Sequence, residues 1–406
     1  MMTYDLCIAW NWPHDAGFVG MLEQACRERG LSVLHITPEN LDAAYQTLLN
    51  GEVSFRTFTN RAADTDPQFL KIVDLARTHG VFRINPHERE TYTADKATMH
   101  LELIANGLHT PYSIILPPYH EQPELPDLDL SPLGVAFAIK PANGGGGAGV
   151  ICEATSAEQV AQARQQFPHD KYLLQAYVTP VVIDDHPAWF RVIYCLGEIY
   201  ANWWPPKTHI FRPVRPDEVV ALRLGELYDM AVRIASVSRL HLFSTEIALT
   251  ADGQFLAVDY VNDQIDLRLQ SQAPDGVPDA IVWDICRRLA DLVWQKTNTQ
   301  RGAPSMTSDR LPTRGEIDPQ YTWNAESVFA SIEAWEEEYA NVAASLPGLR
   351  SFEGRLAEGP QVLLETREAV EALERRLWRL SVYSGMDSAV DTTNQAATQR
   401  CLTAKP

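Results

Sequence analysis

Apolar positions in the first ninety residues switch between two periods. Asp5-Leu-Cys-Ile-Ala-Trp10 is a buried-strand candidate, Val19 to Arg29 has helical spacing, and Leu31-Ser-Val-Leu-His-Ile36 returns to a strand after Gly30. This predicts a βαβ opening. A helix over Phe69 to His79, stopped at Gly80, precedes the strand Val81-Phe-Arg-Ile84 and the break at Asn85-Pro86. Thr93 is expected to cap a helix over Ala94 to Asn106, which ends at Gly107 and carries Lys96 in its first turn.

Farther along, period-two segments dominate. Phe137-Ala-Ile-Lys-Pro-Ala-Asn-Gly-Gly-Gly-Gly-Ala-Gly-Val-Ile151 places Lys140 at the end of an apolar strand, follows it with glycines, and returns to strand-like residues, so the loop reads as a hairpin tip. Thr155-x-x-Glu158 is expected to form a capping box for a helix over Ala157 to Gln166. Tyr172 to Val178 is an apolar strand, and Phe190 to Leu196 and Glu198 to Trp204 flank Gly197 as a hairpin. That pattern puts Arg191 on one side with Ile193 and Cys195, where a buried charge needs a partner. A helix over Leu222 to Ser238 leads to a last hairpin, Phe243 to Leu249 with Phe255 to Val261, across Ala251-Asp252-Gly253. Beyond a linker-like stretch at Arg301 to Ser308, Ala325 to Leu346 carries Phe329, Ile332, Tyr339 and Val342 at helical spacing. Val370, Leu373, Leu377 and Leu380 make a heptad seam, with Glu371 placed to meet Arg375, and the two helices are expected to pack together. The pattern predicts an α/β (α+β) protein with a helical C-terminal segment. Its expected domains are 1–90, 91–300 and 301–406.

The glycines are the first sign of chemistry. Several N–H groups converging in one volume attract anions, and Gly144, Gly145, Gly146, Gly147 and Gly149 allow that convergence. Gly144-x-Gly146-x-x-Gly149 fits the dinucleotide fingerprint in letters, but a strand follows where a helix is needed. A Walker A loop needs Lys-Ser or Lys-Thr after its last glycine. A hairpin over phosphates with a strand lysine beneath is the protein-kinase arrangement, yet H-R-D and D-F-G are absent. A ligand-free surface turn is the alternative. Lys96 opposes its helix dipole, which a nearby anion would explain and a solvent-directed side chain would explain equally.

Glu246, Asp259 and Asn262 offer only oxygen, which suits magnesium. The step from 259 to 262 puts those two side chains on opposite faces of an ideal strand, so a shared site requires a bulge near Val261. A solvated acidic strand end, with Asp263 and Asp266 as further acids, is the alternative.

Charge and cysteine narrow the partners. A formal net charge of -19 lacks the basic stripe that nucleic acid requires, while a small anion needs only local cations because salt screens over about 8–10 Å. The six cysteines are scattered without Cys-x-x-Cys and are expected to be reduced. Neither a signal peptide nor a membrane-length apolar run is present, and a cytoplasmic location without a membrane partner is expected.

In this order and spacing, Lys96, Lys140, the glycine hairpin, the Leu174 to Val178 strand and the Glu246, Asp259, Asn262 set resemble an ATP-grasp enzyme over roughly residues 1 to 300. The resemblance implies adenine between two sheets, bonded near Gln175, Ala176 and Val178, with Lys96 and Lys140 on phosphates and the glycine hairpin closing over them. It further implies Arg191 at the γ-phosphate or substrate, Asp184 or Asp185 at the ribose, and one or two Mg²⁺ ions, with Mn²⁺ as a substitute, on the acid set. Two positions depart from the pattern: Asp259-Tyr-Val-Asn262 stands for Glu-x-Asn, and Gln175 stands where an acid is usual. The implied reaction is ligation, in which ATP phosphorylates a small-molecule carboxylate and an amine or thiol attacks the acyl phosphate, leaving ADP and phosphate. A small-molecule kinase and an inactive nucleotide-binding regulator remain alternatives. Trp203-Trp204-Pro-Pro-Lys207-Thr-His209-Ile-Phe-Arg212 either binds an anionic substrate or packs in the core.

A second resemblance covers residues 306 to 406. Arg310-Leu-Pro-Thr-Arg, Tyr321-Thr-Trp, Glu353-Gly-Arg-Leu356 and Arg379-Leu-Ser-Val-Tyr383 are similar to the N-terminal helical segment of oligoendopeptidase F, and Met306 resembles its start. That class requires His-Glu-x-x-His for zinc, and the chain has none: His87-Glu88 runs on as Arg-Glu-Thr. The segment is therefore expected to be a fragment without proteolytic activity, from a fusion or truncation, whose uncovered apolar stripe favours self-association.

Overall fold

Four parallel strands, in the order β2-β1-β3-β4, open the computed structural model, which describes residues 2–125, 128–143, 145–302, 324–390, 397 and 400. They are β1 (Met2–Trp10), β2 (Val33–Ile36), β3 (Val53–Arg61) and β4 (Phe82–Ile84). Between them lie α1 (Ala16–Glu28), α2 (Leu41–Leu49) and α3 (Leu70–Thr78). The β1-α1-β2 opening follows the apolar pattern. The pattern did not reveal α2 or β3, because β3 interleaves its apolar residues with Thr57, Thr59 and Arg61. Those polar groups are buried with internal partners: the Thr57 hydroxyl donates to Asp5 O (2.6 Å), and Arg61 forms a bidentate pair with Asp15 (2.8 and 2.7 Å). Asn85, at φ 36°, joins this sheet to the next region. Its amide donates to Leu242 O (2.6 Å) and accepts from His241 N (2.8 Å).

Two helices follow where one was expected. α4 (His87–Ala94) contains Thr93, whose hydroxyl donates to Arg89 O (2.9 Å), and α5 (Lys96–Ala105) is capped by Asp95, which accepts from Thr98 N (3.0 Å). Thr93 is thus a helix-interior residue. Asp95, the ionised and better cap, takes the role two positions later and leaves Lys96 as the first helical residue.

The second sheet, in the order β5-β8-β6-β7, is antiparallel. Its strands are β5 (Ser113–Leu116), β6 (Phe137–Pro141), β7 (Ile151–Ala154) and β8 (Tyr172–Ala176). The antiparallel β6–β7 pair makes the glycine segment a hairpin tip, as expected. α6 (Ala157–Gln166) packs its apolar face on this sheet, but its capping box lies one residue later than the sequence suggested. Ser156 accepts from Gln159 N (3.4 Å) while the Gln159 side chain accepts from Thr155 N (2.8 Å). Glu158 also hydrogen-bonds Ser156, which holds its carboxyl below the usual range.

After the two-residue strands β9 (Val182–Ile183) and β10 (His186–Pro187), a third sheet of order β13-β12-β11-β14-β15 forms. It contains β11 (Trp189–Cys195), β12 (Glu198–Trp203), β13 (Arg212–Pro213), β14 (Leu242–Leu249) and β15 (Phe255–Asn262). The helix expected over Leu222 to Ser238 is α8 (Gly225–Ser238), and a further short helix, α7 (Pro216–Ala221), precedes it; the two are separated at Arg223 by a left-handed φ of 54°. Phe190 and Val192 pack with α5 and α8, while Ile193 and Cys195 join a core with α1 and α9 (Asp279–Gly302). The third sheet is therefore packed on both faces, and on the α9 side Tyr200 and Glu198 of β12 bond Asp284 and Arg288.

The chain divides into two compact units, Met1–Pro304 and Ser305–Pro406. In the second, α10 (Ile332–Ser345) and α11 (Pro360–Val390) pair through Trp335, Val342, Leu373 and Leu380, and Trp335 Nε1 donates to Leu380 O (2.9 Å). The linker-like stretch beyond Gly302, Met306, Arg310 to Arg314 and Tyr321 to Trp323 lie outside the described residues. Among the described residues no helix is long and apolar enough to cross a membrane.

Candidate active site

Lys140 is the point where the second and third sheets meet. It sits on β6 with its ammonium donating to Gln175 Oε1 on β8 (2.7 Å) and to Val258 O on β15 (3.4 Å). Burial pulls its pKa down, Asp259 and Glu246 push it up, and Lys96 adds to the downward side. Two lysines far apart in sequence thus share one electrostatic environment with two carboxylates. α5 supplies Lys96, and its N-terminus is anchored by Lys96 N–H donating to Ala142 O (2.9 Å), just past β6.

The glycine tip rises from that anchor. Asn143 bonds Asp170 through its backbone N–H (2.9 Å) and its amide (2.7 Å), holding one leg. Gly146, Gly147 and Gly149 have φ of 58°, 77° and 72°, a region other residues rarely enter. A Cβ at Gly149 would lie 2.4 Å from the Phe167 ring, so this glycine is required twice over. Gly145 is described without such a constraint, and Gly144 lies outside the described residues.

The acid set forms a cross-strand row. Arg191 on β11 pairs in register with Glu246 on β14, which pairs with Asp259 on β15, so all three side chains share one face. From Ser244 to Glu246 the partner strand advances from Asn262 to Asp259, three residues against two. This is the bulge that the 259-to-262 spacing demands. Asn262 is thereby brought to the row; with its amide turned so that the oxygen faces Arg191, that oxygen would accept from the guanidinium (2.7 Å) and the nitrogen would donate to Gln264 O (3.2 Å). Arg191 is the buried charge that needed a partner. It forms an ion pair with Glu246, donates to Ser244 Oγ (3.1 Å) and lies over the Trp204 ring. Rather than extending toward open space, it holds the acids in place.

Burial raises the pKa of Glu246; Arg191 opposes that, and Asp259 reinforces it. Glu246 and Asp259 face each other across the strands, with Arg191 paired to Glu246 and Lys140 within electrostatic reach of both, and the donors are hard oxygens. The residues therefore fit a divalent cation of the magnesium type, whose remaining positions phosphate oxygens and water would fill. Among the described residues no three or more His, Cys, Asp and Glu gather as a metal site.

The other predicted positions fall around this row. Gln175 is buried at 2 % exposure, with its oxygen turned to Lys140. The Ala176 N–H donates to Tyr112 O (2.8 Å), and Val178 packs with Ala248 and Val258 of the third sheet beside the cleft. Asp184 and Asp185, at φ 47° and 61°, form the exposed two-residue turn between β9 and β10. Trp189 (Nε1 to Glu246 Oε2, 3.1 Å), Ser244, Tyr260 and His100 were missed. The first two were signalled by period two, since each lies two residues from Arg191 or Glu246 on the same face. Of the spare acids, Asp266 pairs with Arg268.

Asp263 belongs to a small cavity with Glu90, Asn60 and Gln264. Burial lifts Glu90 to about 7 and Asp263 to about 6. A raised acid is protonated in the folded chain and ionised in the unfolded one, so its effect on stability falls away as pH rises from about 4.5 through about 7. His87, raised by its bond to Glu90, acts in the same direction. Glu90→Gln is expected to be more stable than the wild type at about pH 8, by the order of 3 kcal/mol, with the difference vanishing near pH 4. Urea unfolding across that range measures it, and a pH-independent difference would refute it.

D-alanine–D-alanine ligase from Bacillus anthracis, solved with ATP, superposes on the chain with a TM-score of 0.52, covering 74 % of this chain and 99 % of that one at 13 % identity. The chain has the ATP-grasp fold. D-cycloserine synthetase DcsG (TM-score 0.50, 16 % identity, 71 % of this chain and 99 % of that one) shares it. So does the ATP-grasp ligase PsnB solved with minimal precursor, Mg and ADP (TM-score 0.50, 14 %, 73 % and 100 %). No family model matches the chain. Two curated proteins match in part. Oligopeptidase PepF of Bacillus subtilis (strain 168) is 30 % identical over 132 residues, 32 % of this chain and 19 % of its own length. Group B oligopeptidase PepB of Streptococcus agalactiae serotype III (strain NEM316) is 36 % identical over 80 residues, 20 % of this chain and 13 % of its own. The chain thus spans less than a fifth of these relatives, while the ATP-grasp neighbours are covered almost end to end.

Proposed function

We propose that the chain is an ATP- and magnesium-dependent ligase that activates a carboxylate as an acyl phosphate for attack by an amine or thiol, releasing ADP and phosphate. The observation that carries this reading is Lys140, which bridges the two sheets of an ATP-grasp fold within the electrostatic reach of Glu246, Asp259 and Lys96. Residues 1–90 are the domain preceding the nucleotide site, 91–300 hold it, and 301–406 form the helical appendage. Lys96 and Lys140 hold the phosphates, the amides of Gly144 to Gly149 close over them, and backbone near Gln175, Ala176 and Val178 meets the adenine. The exposed Asp184 turn lies toward the ribose.

A divalent ion on Glu246, Asp259 and Asn262 would neutralise charge on the transferring phosphoryl group. The chain's own residues do the rest by position. Arg191 fixes both Glu246 and Asn262, so it sets the geometry of that row and presents one fixed positive charge where phosphoryl and carboxylate oxygens meet. No protein nucleophile is needed, because phosphoryl transfer is governed by alignment and electrostatics. The helical unit has no His-Glu-x-x-His, and no peptidase chemistry is assigned to it.

Incubation with MgATP and a fractionated metabolite extract, read by mass spectrometry, is the test. The expected outcome is ADP and free phosphate together with an acid converted to its amide or thioester. A stable phosphorylated product would make the chain a kinase, and ATP binding without turnover would make it a regulator.

A further inference from the structure

We propose that Tyr260 is a positioning residue of the nucleotide site: its buried hydroxyl holds the Gln175 amide with the carbonyl turned toward Lys140, so that a neutral side chain keeps the ammonium in the cleft. This inference rests on reading the cleft as an ATP site. Its need arises from an unusual feature of the sequence, an amide at position 175, because an amide has a donor end and an acceptor end whereas a carboxylate accepts through either oxygen.

Donor and acceptor roles determine the arrangement step by step. The Lys140 ammonium only donates, so the group 2.7 Å from it must be Gln175 Oε1. Nε2 then points the other way, where the Tyr260 oxygen lies 2.9 Å away and must accept. His100 Nδ1 lies 2.7 Å from the same phenol oxygen, and Ser113 is a further hydrogen-bond partner of it. Burial lowers the pKa of His100.

All three side chains are sealed from water: Gln175, Tyr260 and His100 are 2 %, 1 % and 4 % exposed. Solvent cannot re-satisfy an amide turned the wrong way, and its NH₂ would then face the ammonium donor to donor. His100 also lies one helical turn after Lys96 on α5. The helix that brings one lysine to the cleft thus anchors the chain of bonds that orients the other.

Affinity for a nonhydrolysable ATP analogue with magnesium, measured by calorimetry, tests the assignment. Tyr260→Phe is expected to weaken binding about tenfold, and Gln175→Glu placed in that background is expected to restore most of it, since a carboxylate needs no orienting. A loss without that rescue would mean that Tyr260 acts only through packing, and an unchanged affinity would mean that it does not act at all; either overturns the proposal. If Tyr260→Phe does not fold, His100→Leu removes a hydrogen-bond partner that fixes the phenol, and a loss of affinity rescued by Gln175→Glu is again required. A wild-type chain that does not bind the analogue defeats the ATP-site reading itself, whereas wild-type binding with an indifferent Tyr260→Phe defeats this inference alone.

Discussion

Lys140→Ala is expected to lose affinity for MgATP by about 100-fold or more while keeping the wild-type fold. The ammonium hydrogen-bonds to Gln175 of the second sheet and to Val258 O of the third. Each charge-assisted hydrogen bond it makes to phosphate is worth about 1.5–3 kcal/mol, so losing two of them gives a change of this size. Stability follows a different account. Burial disfavours the charged ammonium, and its attraction to Asp259 and Glu246 only partly offsets that, so the variant is expected to remain folded, with Arg191 still paired to Glu246. Calorimetric titration with a nonhydrolysable analogue and a thermal melt separate the two quantities. Unchanged affinity would take the lysine out of the site.

Asp259→Asn is expected to cut turnover by roughly 10²–10³-fold, the usual effect of removing one group aimed at developing charge, with nucleotide binding reduced far less. The substitution keeps shape and removes one of the two facing carboxylates. It also has a signature that simple damage lacks. Asp259 contributes to the raised pKa of Glu246, so the variant should let Glu246 ionise at lower pH and should not destabilise the fold. The decisive measurement is turnover against magnesium concentration at saturating ATP. A normal rate with an unaltered magnesium requirement would remove Asp259 from the cation set.

The two carboxylates were legible because a hairpin is local. Ala251-Asp252-Gly253 marks the turn, the apolar residues on either side alternate, and the count from 259 to 262 already required a bulge. The glycine hairpin was readable for the same reason. Helix starts were harder where two capping residues compete within three positions: Thr93 yielded to Asp95, and Thr155 to Ser156. β3 was hidden by threonines and an arginine whose polar atoms find partners only after the parallel sheet assembles. Arg191 was recognisable as a charge needing a partner, but Glu246 could not be chosen without the β11–β14 register.

The sequence by itself determined many of the strands and helices, where the glycine tip falls, and that an oxygen-only set lies near a chain reversal. These features depend on periods of a few residues and on the backbone freedom of glycine. Only the tertiary structure decided that Lys140, Gln175 and Tyr260 form one line of hydrogen bonds, since the links span 35 and 85 residues. Which end of an amide faces a lysine is settled by donors and acceptors on another sheet, and no local pattern encodes that choice.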